Sequence, residues 1–414
     1  MNHRFYLCGC LFWAALYAGC GAAFAPIETA VVQKDWQTAL RRTNGNAQLE
    51  FQLAVRIIQQ AALESDAPKS MVLALPESTD AGHEALLALR GQHRNEVAAQ
   101  MAEIVLNRNT RLAQNPGRYY LDSDNSDLRA LAATTLSSML SRSKLHLMTQ
   151  DLNSTVRAAA VAALCRLPAQ FDTADILVER LKNDPLPHVR AAAARCGFVL
   201  EQRHTILLRE TIANDANMGV QRAALQGLLQ IATQTDMNWL VRFAKGPMTE
   251  ARLQAAAELA HRHLPEGKAR LLDALDATND AIRVEAITLL RYGNIENADE
   301  RILHLIDDPS SAVSTAAAMY LFGRGVYLEK ARTKLEENGK AGNENAQLLL
   351  AQSGDIRALR QLRWRLRSAD VAADTVARYR FIPQLRDVFV SLLAHSRQDV
   401  RLAAAVAVSQ WQRE

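Results

Sequence analysis

Aromatic residues are scarce in this chain, 6% of 414 residues. Sheet cores draw heavily on aromatic and β-branched side chains. Here alanine fills whole segments instead, which points to helices packed close together. Cysteine is sparse as well, 5 in all, too few for a dense disulfide framework, so packing must hold the fold. No stretch after residue 25 reaches the run of about 18 uncharged apolar residues that a membrane-spanning helix needs. Neither sign of charge dominates: 48 Lys and Arg against 44 Asp and Glu leave a formal +4. Such mild basicity permits contact with an anionic surface and does not call for nucleic acid. Gly-rich phosphate loops, G-x-S-x-G elbows and H-E-x-x-H zinc motifs are all missing. What is plentiful is apolar material, 49% of the chain, enough for a substantial core.

The amino terminus reads MNHRFYLCGCLFWAALYAGCG. His3 and Arg4 form a short polar start, and Phe5 to Ala18 carries no charge. That pattern predicts an export signal, to be set apart from the fold. Two processing sites compete. Ala23-Phe24-Ala25 offers small residues to a general signal peptidase, but cleavage there leaves Pro26 at the new terminus. Tyr17-Ala18-Gly19-Cys20 resembles a bacterial lipobox, departing from it where Tyr17 replaces the usual leucine. That resemblance implies lipidation at Cys20, with stable membrane attachment through several acyl chains. Gly21 gives no inner-membrane retention signal, so the resemblance leans towards an outer-membrane lipoprotein facing the periplasm. A soluble periplasmic or secreted form is the alternative. Cys8 and Cys10 leave with the signal, and only Cys165 and Cys196 remain as free thiols. They sit at different offsets in neighbouring repeats, so both buried thiols and a disulfide stay open.

The rest of the chain is organised by a recurring dipeptide. Leu128-Arg129, Val156-Arg157, Val189-Arg190, Val220-Gln221, Ala251-Arg252, Ile282-Arg283, Val313-Ser314 and Val400-Arg401 each open an alanine-rich segment. From Val189 to Val313 every step is 31 residues. A fixed period of this size is the signature of a helical solenoid. Each unit has a turn marked by Asp-Pro, Asn-Asp or Ser-Asp, then an apolar stripe at helical spacing such as Val189, Ala192, Ala193 and Cys196. A second amphipathic segment precedes each turn, as in ADILVERLKND (174–184) and ERILHLIDD (300–308). The expected unit is therefore helix A, a short turn, then helix B.

Asp184-Pro185, Val189-Arg190 and Ala192-Ala193 together resemble the HEAT repeat, in the short bacterial form similar to phycobilisome-lyase repeats. Asp308, Pro309, Val313, Ala316 and Ala317 carry the same resemblance in a second unit. It implies an all-α fold, a right-handed alpha-alpha superhelix (HEAT-like solenoid) of about ten to twelve helical hairpins in one curved array. No cofactor follows from it. One HEAT-repeat enzyme class binds iron through several His-Glu dipeptides, and His83-Glu84 is the only such dipeptide here.

The expected organisation is a signal peptide (1–19), an anchor or linker with a first helix (20–45) and degenerate repeats (46–121). Regular HEAT-like repeats (122–324), degenerate repeats with an Arg-rich face (325–394) and a C-terminal capping helix (395–414) follow. Two stretches, 65–82 and 109–127, interrupt the regular plan, as loops at repeat junctions or as insertions. Arg129, Arg157, Arg190, Arg252, Arg283 and Arg401 form a ladder, one per unit. Each is expected to bond a turn aspartate or helix-terminal carbonyls of the adjacent unit. A competing anion-binding track is interrupted by Gln221 and Ser314. The most biased surface is DIRALRQLRWRLRS (355–368), where Arg360, Arg363 and Arg367 share a helical face beside Trp364. With Arg357, Arg378 and Arg380 it reads either as a solvated helix face or as a dock for an anionic partner. The function expected from all this is a non-enzymatic, protein-binding scaffold or assembly factor at the bacterial cell envelope. It would present a concave repeat surface to a protein partner, without metal, cofactor or nucleic acid. The alternative is an envelope module that binds an anionic polymer or lipid through the Arg-rich face, and an enzyme with a groove site ranks below both.

Overall fold

The computed structural model describes residues 21–65, 68–76, 78–90, 95–107, 121–135, 142–167, 171–292 and 298–411. Cys20, the signal segment and most of the 109–127 interruption lie outside these residues. Among the described residues there are 26 α-helices, a few short 3-10 turns and no strand. The fold is an all-α, HEAT-like solenoid of paired helices. No described helix is long and apolar enough to cross a membrane. The chain divides into two compact units, one of residues 1–114 with 351–414, the other of 115–350.

In the unit of residues 115–350 the helices that begin at each turn stack in one continuous series. They are α7 (Ser126–Thr135), α9 (Ser154–Leu164), α11 (Pro187–Ala194), α14 (Met218–Ile231), α16 (Glu250–His261), α18 (Asp280–Tyr292) and α20 (Ser311–Arg324). Each packs on the next. Partner helices cover them from the other side: α10 (Phe171–Asn183) on α11, α13 (Thr205–Asn214) on α14, α15 (Gln234–Ala244) on α16. The starts are fixed locally. Asn125, Asn153 and Asn217 each accept two backbone N–H bonds from the first turn, and Pro187 supplies the N1 proline of α11. Val156, Val189, Val220 and Val313, the leading residues of the repeated dipeptide, are fully buried.

Small side chains set the spacing of this series. Gly227 in α14 lies against the backbone carbonyl of Ala194, and Gly197 lies against the carbonyl of Gly227, so closely that a Cβ at either position would collide. Cys165, which caps α9, and Cys196, just after α11, form a disulfide with their Cα atoms 5.5 Å apart. This pairing closes one of the two alternatives left open by the sequence. Cys165 keeps helical backbone, whereas Cys196 has left it with φ −88° and ψ 45°, so repeat offsets counted at helical spacing do not describe how the two thiols face.

The other unit is built from both ends of the chain. Its first helices are α1 (Gly21–Val32), α2 (Trp36–Thr43), α3 (Ala47–Glu64), α4 (Lys69–Ala74), α5 (Asp80–Arg90) and α6 (Glu96–Asn107). Its last are α23 (Ile356–Leu366), α24 (Ala373–Arg378), α25 (Arg386–Leu392) and α26 (Gln398–Gln410). Helix α26, placed by sequence as a terminal cap, has neighbours on both sides: α24 and α25 before it, and α3 from the opposite end of the chain. Val400, Ala404, Ala407 and Val408 of α26 are buried, as are Phe51, Leu53 and Ile58 of α3. Arg386 pairs with the buried Glu50 at 2.8 Å, and the Arg401 guanidinium sits over the Trp36 ring at 5.4 Å. An apolar stripe announces that a helix face is covered, not which segment covers it, so this pairing is invisible to periodicity.

Two outcomes follow from the close packing. Gly227→Ala should lower stability by about 1–3 kcal/mol, because the helices must separate to admit the methyl group; the shift in the urea midpoint measures it. Replacing Cys165 and Cys196 by serine should cost about 3.5 kcal/mol for a loop of this length. An unchanged midpoint on reduction of the wild-type chain would mean that the bond carries no stability.

Candidate functional surface

The repeat arginines are placed by a shared geometry. Each lies one residue after the leading apolar residue, near the start of its helix. Arg157 donates Nε and Nη2 to the two oxygens of Asp184 (2.7 and 3.0 Å) and Nη1 to the carbonyls of Asp151 and Leu152. Arg190 does the same with Asp215 (2.9 and 3.0 Å) and the carbonyls of Asp184 and Pro185. Arg129 repeats the pattern with Asp151 and the carbonyls of Ser123 and Asp124. Arg283 bonds Asp308 at 3.0 Å and the carbonyls of Ala277 and Thr278. Each aspartate also accepts a backbone N–H two residues on, as from Leu186 to Asp184 at 3.0 Å. One side chain thus ties its own turn to the turn of the following repeat.

Two members depart from the pattern. For Arg252 the acid position one repeat on is Ala277; its guanidinium lies 4.9 Å over the Phe243 ring and donates to the Pro247 carbonyl. Arg401 keeps the turn contacts, donating to the carbonyls of His395 and Ser396, and turns towards Trp36. Gln221 retains its own turn through a bond from Nε2 to the Asp215 carbonyl, and the acid position one repeat on is Gly246. A second rung, Arg209 to Asp236, joins helix-A segments instead; sequence reasoning missed it because neither residue falls on the repeated dipeptide.

The carboxyls of Asp151, Asp184 and Asp215 are held in the charged form. Burial alone would raise Asp184, but the hydrogen bonds from Arg157 and from the Leu186 N–H outweigh it and keep it below the usual carboxylate value. Asp151 and Asp215 show the same balance, burial against bonds from Arg129 and Arg190. Stability from a carboxylate with a lowered value is fully present above the unfolded value, near pH 4, and is lost as pH falls through the folded value.

The Arg-rich face is built differently. Asp355 caps α23 by accepting from the Arg357 and Ala358 N–H groups at 3.0 and 2.9 Å. Ala358, Leu362 and Leu366 are buried. The opposite side carries Arg360, with Ile356 73% and Trp364 80% exposed. Arg363 donates to the Gln384 carbonyl (2.7 Å) and pairs with Asp387, which Arg367 also reaches, at 3.2 Å. Arg380 stacks 4.4 Å over the exposed Phe381 ring, and Arg378 ends α24 at the surface. The structure therefore joins Arg363 and Arg367 through one aspartate and adds Ile356 and Phe381, two exposed apolar residues that arginine counting passed over. Ile356 was findable, since it stands two helical turns before Trp364 on the same side.

Among the described residues no group of three or more His, Cys, Asp and Glu side chains is placed to hold a metal ion. Burial lowers His204, and burial beside the Asp299 carboxylate raises the Tyr320 phenol.

Asp184→Asn should cost about 2–3 kcal/mol at neutral pH, since Arg157 loses its charged acceptor. The difference from wild type should close progressively below about pH 4 as the native carboxyl protonates. Urea midpoints of both chains across that range check the magnitude and the sign.

No protein-family model matches the chain, and no curated protein matches it. Solved structures with similar helical arrangements include the Escherichia coli protein YibA, 15% identical, covering 75% of this chain and 96% of that one with a TM-score of 0.31. The karyopherin Kap121p bound to the extreme C-terminus of the protein phosphatase Cdc14p is 14% identical, covering 92% and 48% with a TM-score of 0.38. Human deoxyhypusine hydroxylase in complex with glycerol is 14% identical, covering 76% and 98% with a TM-score of 0.27.

Proposed function

We propose that this chain is a lipid-anchored, non-enzymatic scaffold of a bacterial envelope that binds a protein partner through its repeat surface. The carrying observation is the use made of its polar residues. Arg129, Arg157, Arg190 and Arg283 are spent on bonds between repeats, which leaves a regular, rigid array whose outward helix faces are its exposed surface. The envelope placement draws support from two further points. Ala18-Gly19-Cys20 follows the apolar run of an export signal, and Ile27, only seven residues beyond Cys20, is already fully buried in the fold. The Cys165–Cys196 disulfide suits an oxidising compartment.

The test is an intact-mass measurement on the chain purified from membranes, joined to crosslinking in native envelopes. Wild type should carry the acyl mass on Cys20 and capture a specific partner. Cys20→Ser should appear in the soluble fraction and lose that partner. A chain without lipid and without a partner would sink the proposal.

A further inference from the structure

We propose that helix α23 docks the unit formed by residues 1–114 and 351–414 onto an anionic lipid bilayer. The inference deepens the envelope reading, on which it rests for the presence of a membrane, but it does not require lipid on Cys20.

The outward side of α23 is unlike an ordinary solvated face. Counting at 100° per residue, Arg363, Ile356, Arg367, Arg360 and Trp364 fall within one arc opposite Ala358, Leu362 and Leu366. No acidic residue falls in that arc. Ile356 and Trp364 are among the most exposed large apolar side chains in the chain, and Arg360 stands between them with no acidic partner among the described residues. Water satisfies the arginine and penalises the isoleucine and tryptophan. A protein core would do the reverse. The boundary between lipid headgroups and acyl chains satisfies both: the rings and the isoleucine enter the apolar edge while guanidinium groups bond phosphates.

Charge and tethering both favour a bilayer as the occupant. Residues 355–387 contain eight arginines and four aspartates. Asp355 is held in the cap of α23, Asp387 engages Arg363 and Arg367, and Arg386 is taken by the buried Glu50, which leaves Arg360 as the exposed charge of the α23 arc without an acidic partner among the described residues. The combination of aromatic and arginine recurs at Phe381, 61% exposed beneath Arg380. That residue is three before Gln384, whose carbonyl receives Arg363. The tether acts on the same unit. Seven residues from Cys20 to Ile27 span at most about 25 Å, so an anchored chain keeps this unit close to the membrane.

The experiment uses the full chain carrying Cys20→Ser, so that no acyl group contributes. Co-flotation is measured with phosphatidylcholine vesicles, with and without phosphatidylglycerol, and on polyglutamate beads as a protein-like polyanion. Binding should require phosphatidylglycerol and weaken with salt. Arg360→Glu and Trp364→Ser should each reduce it about tenfold, in line with the worth of one basic or interfacial residue at a charged surface. Quenching by brominated phosphatidylglycerol should disappear in Trp364→Phe. Both positions are exposed, and thermal unfolding should match the parent. Equal binding to both vesicle types, binding to polyglutamate alone, or variants that bind as the parent does would each overturn the docking. Loss of docking with a lipid mass on Cys20 leaves the anchored scaffold standing. Docking without that mass removes the anchor and keeps this surface.

Discussion

The arginine-to-aspartate rung is the contact that the regular repeats depend on. A guanidinium has five N–H donors in a fixed plane. Here it spends two on a carboxylate of the next repeat and one, shared, on two carbonyls of its own turn, as Arg157 does with Asp184, Asp151 and Leu152. The carbonyls are the ones a turn leaves without helical partners, and the carboxylate is anchored by a backbone N–H of its own turn. Removing either charge strands the other in a largely buried site, at a cost above the net worth of the pair. That asymmetry accounts for the two places where arginine and acid are lost together. Where Gln221 replaces the arginine, the acid position one repeat on is glycine; Ser314 is likewise followed at that spacing by Gly339. Arg252 keeps its charge although Ala277 stands at the acid position one repeat on, and its guanidinium lies over the Phe243 ring instead.

Rung and disulfide lie in the same stretch. Three rungs and the Cys165–Cys196 bond fall between Arg129 and Asp215, whereas Gln221 and Arg252 leave two successive junctions without a rung carboxylate. Close backbone contact occurs both with a rung and without one: Gly227 meets Ala194 at the junction that Arg190 and Asp215 bridge, and Gly267 meets Ala256 and Ala260 beyond it. A repeat array is held by nearest-neighbour terms, so local reinforcement stiffens its own region and little else.

The repeat plan was legible because it is local. A 31-residue period, a turn rich in Asp and Asn and an alanine stripe are all written within single units, and they locate the helices and the rung arginines. Contacts between distant segments were not legible. Glu50 and Arg386 are separated by 336 residues, and the burial of α26 by α3 follows from no spacing in either segment. The disulfide was hidden for a related reason: Cys196 lies past the end of α11 with non-helical backbone, so its side-chain direction does not follow the helical register that Cys165 keeps. In the Arg-rich segment sequence found the charges but not their accounting. Asp387 engages two of them, and the exposed isoleucine at one end of the stripe carries no charge to draw notice.

The same residue type thus serves two purposes, separated by what accepts its protons. Arg129, Arg157 and Arg190 have carboxylate and carbonyl acceptors from their own chain and little exposure, so any external anion would have to displace a bidentate internal partner. Arg363 and Arg367 are intermediate, sharing one exposed carboxylate that a lipid phosphate can replace at small cost, since exposed pairs contribute little to stability. Arg360 lies at the far end of this series, exposed between Ile356 and Trp364 on a helix whose other side is fixed in the core. A charged group left outward between two large apolar ones is poorly matched to water and well matched to the edge of a bilayer, and that mismatch sets α23 apart from every rung helix in the chain.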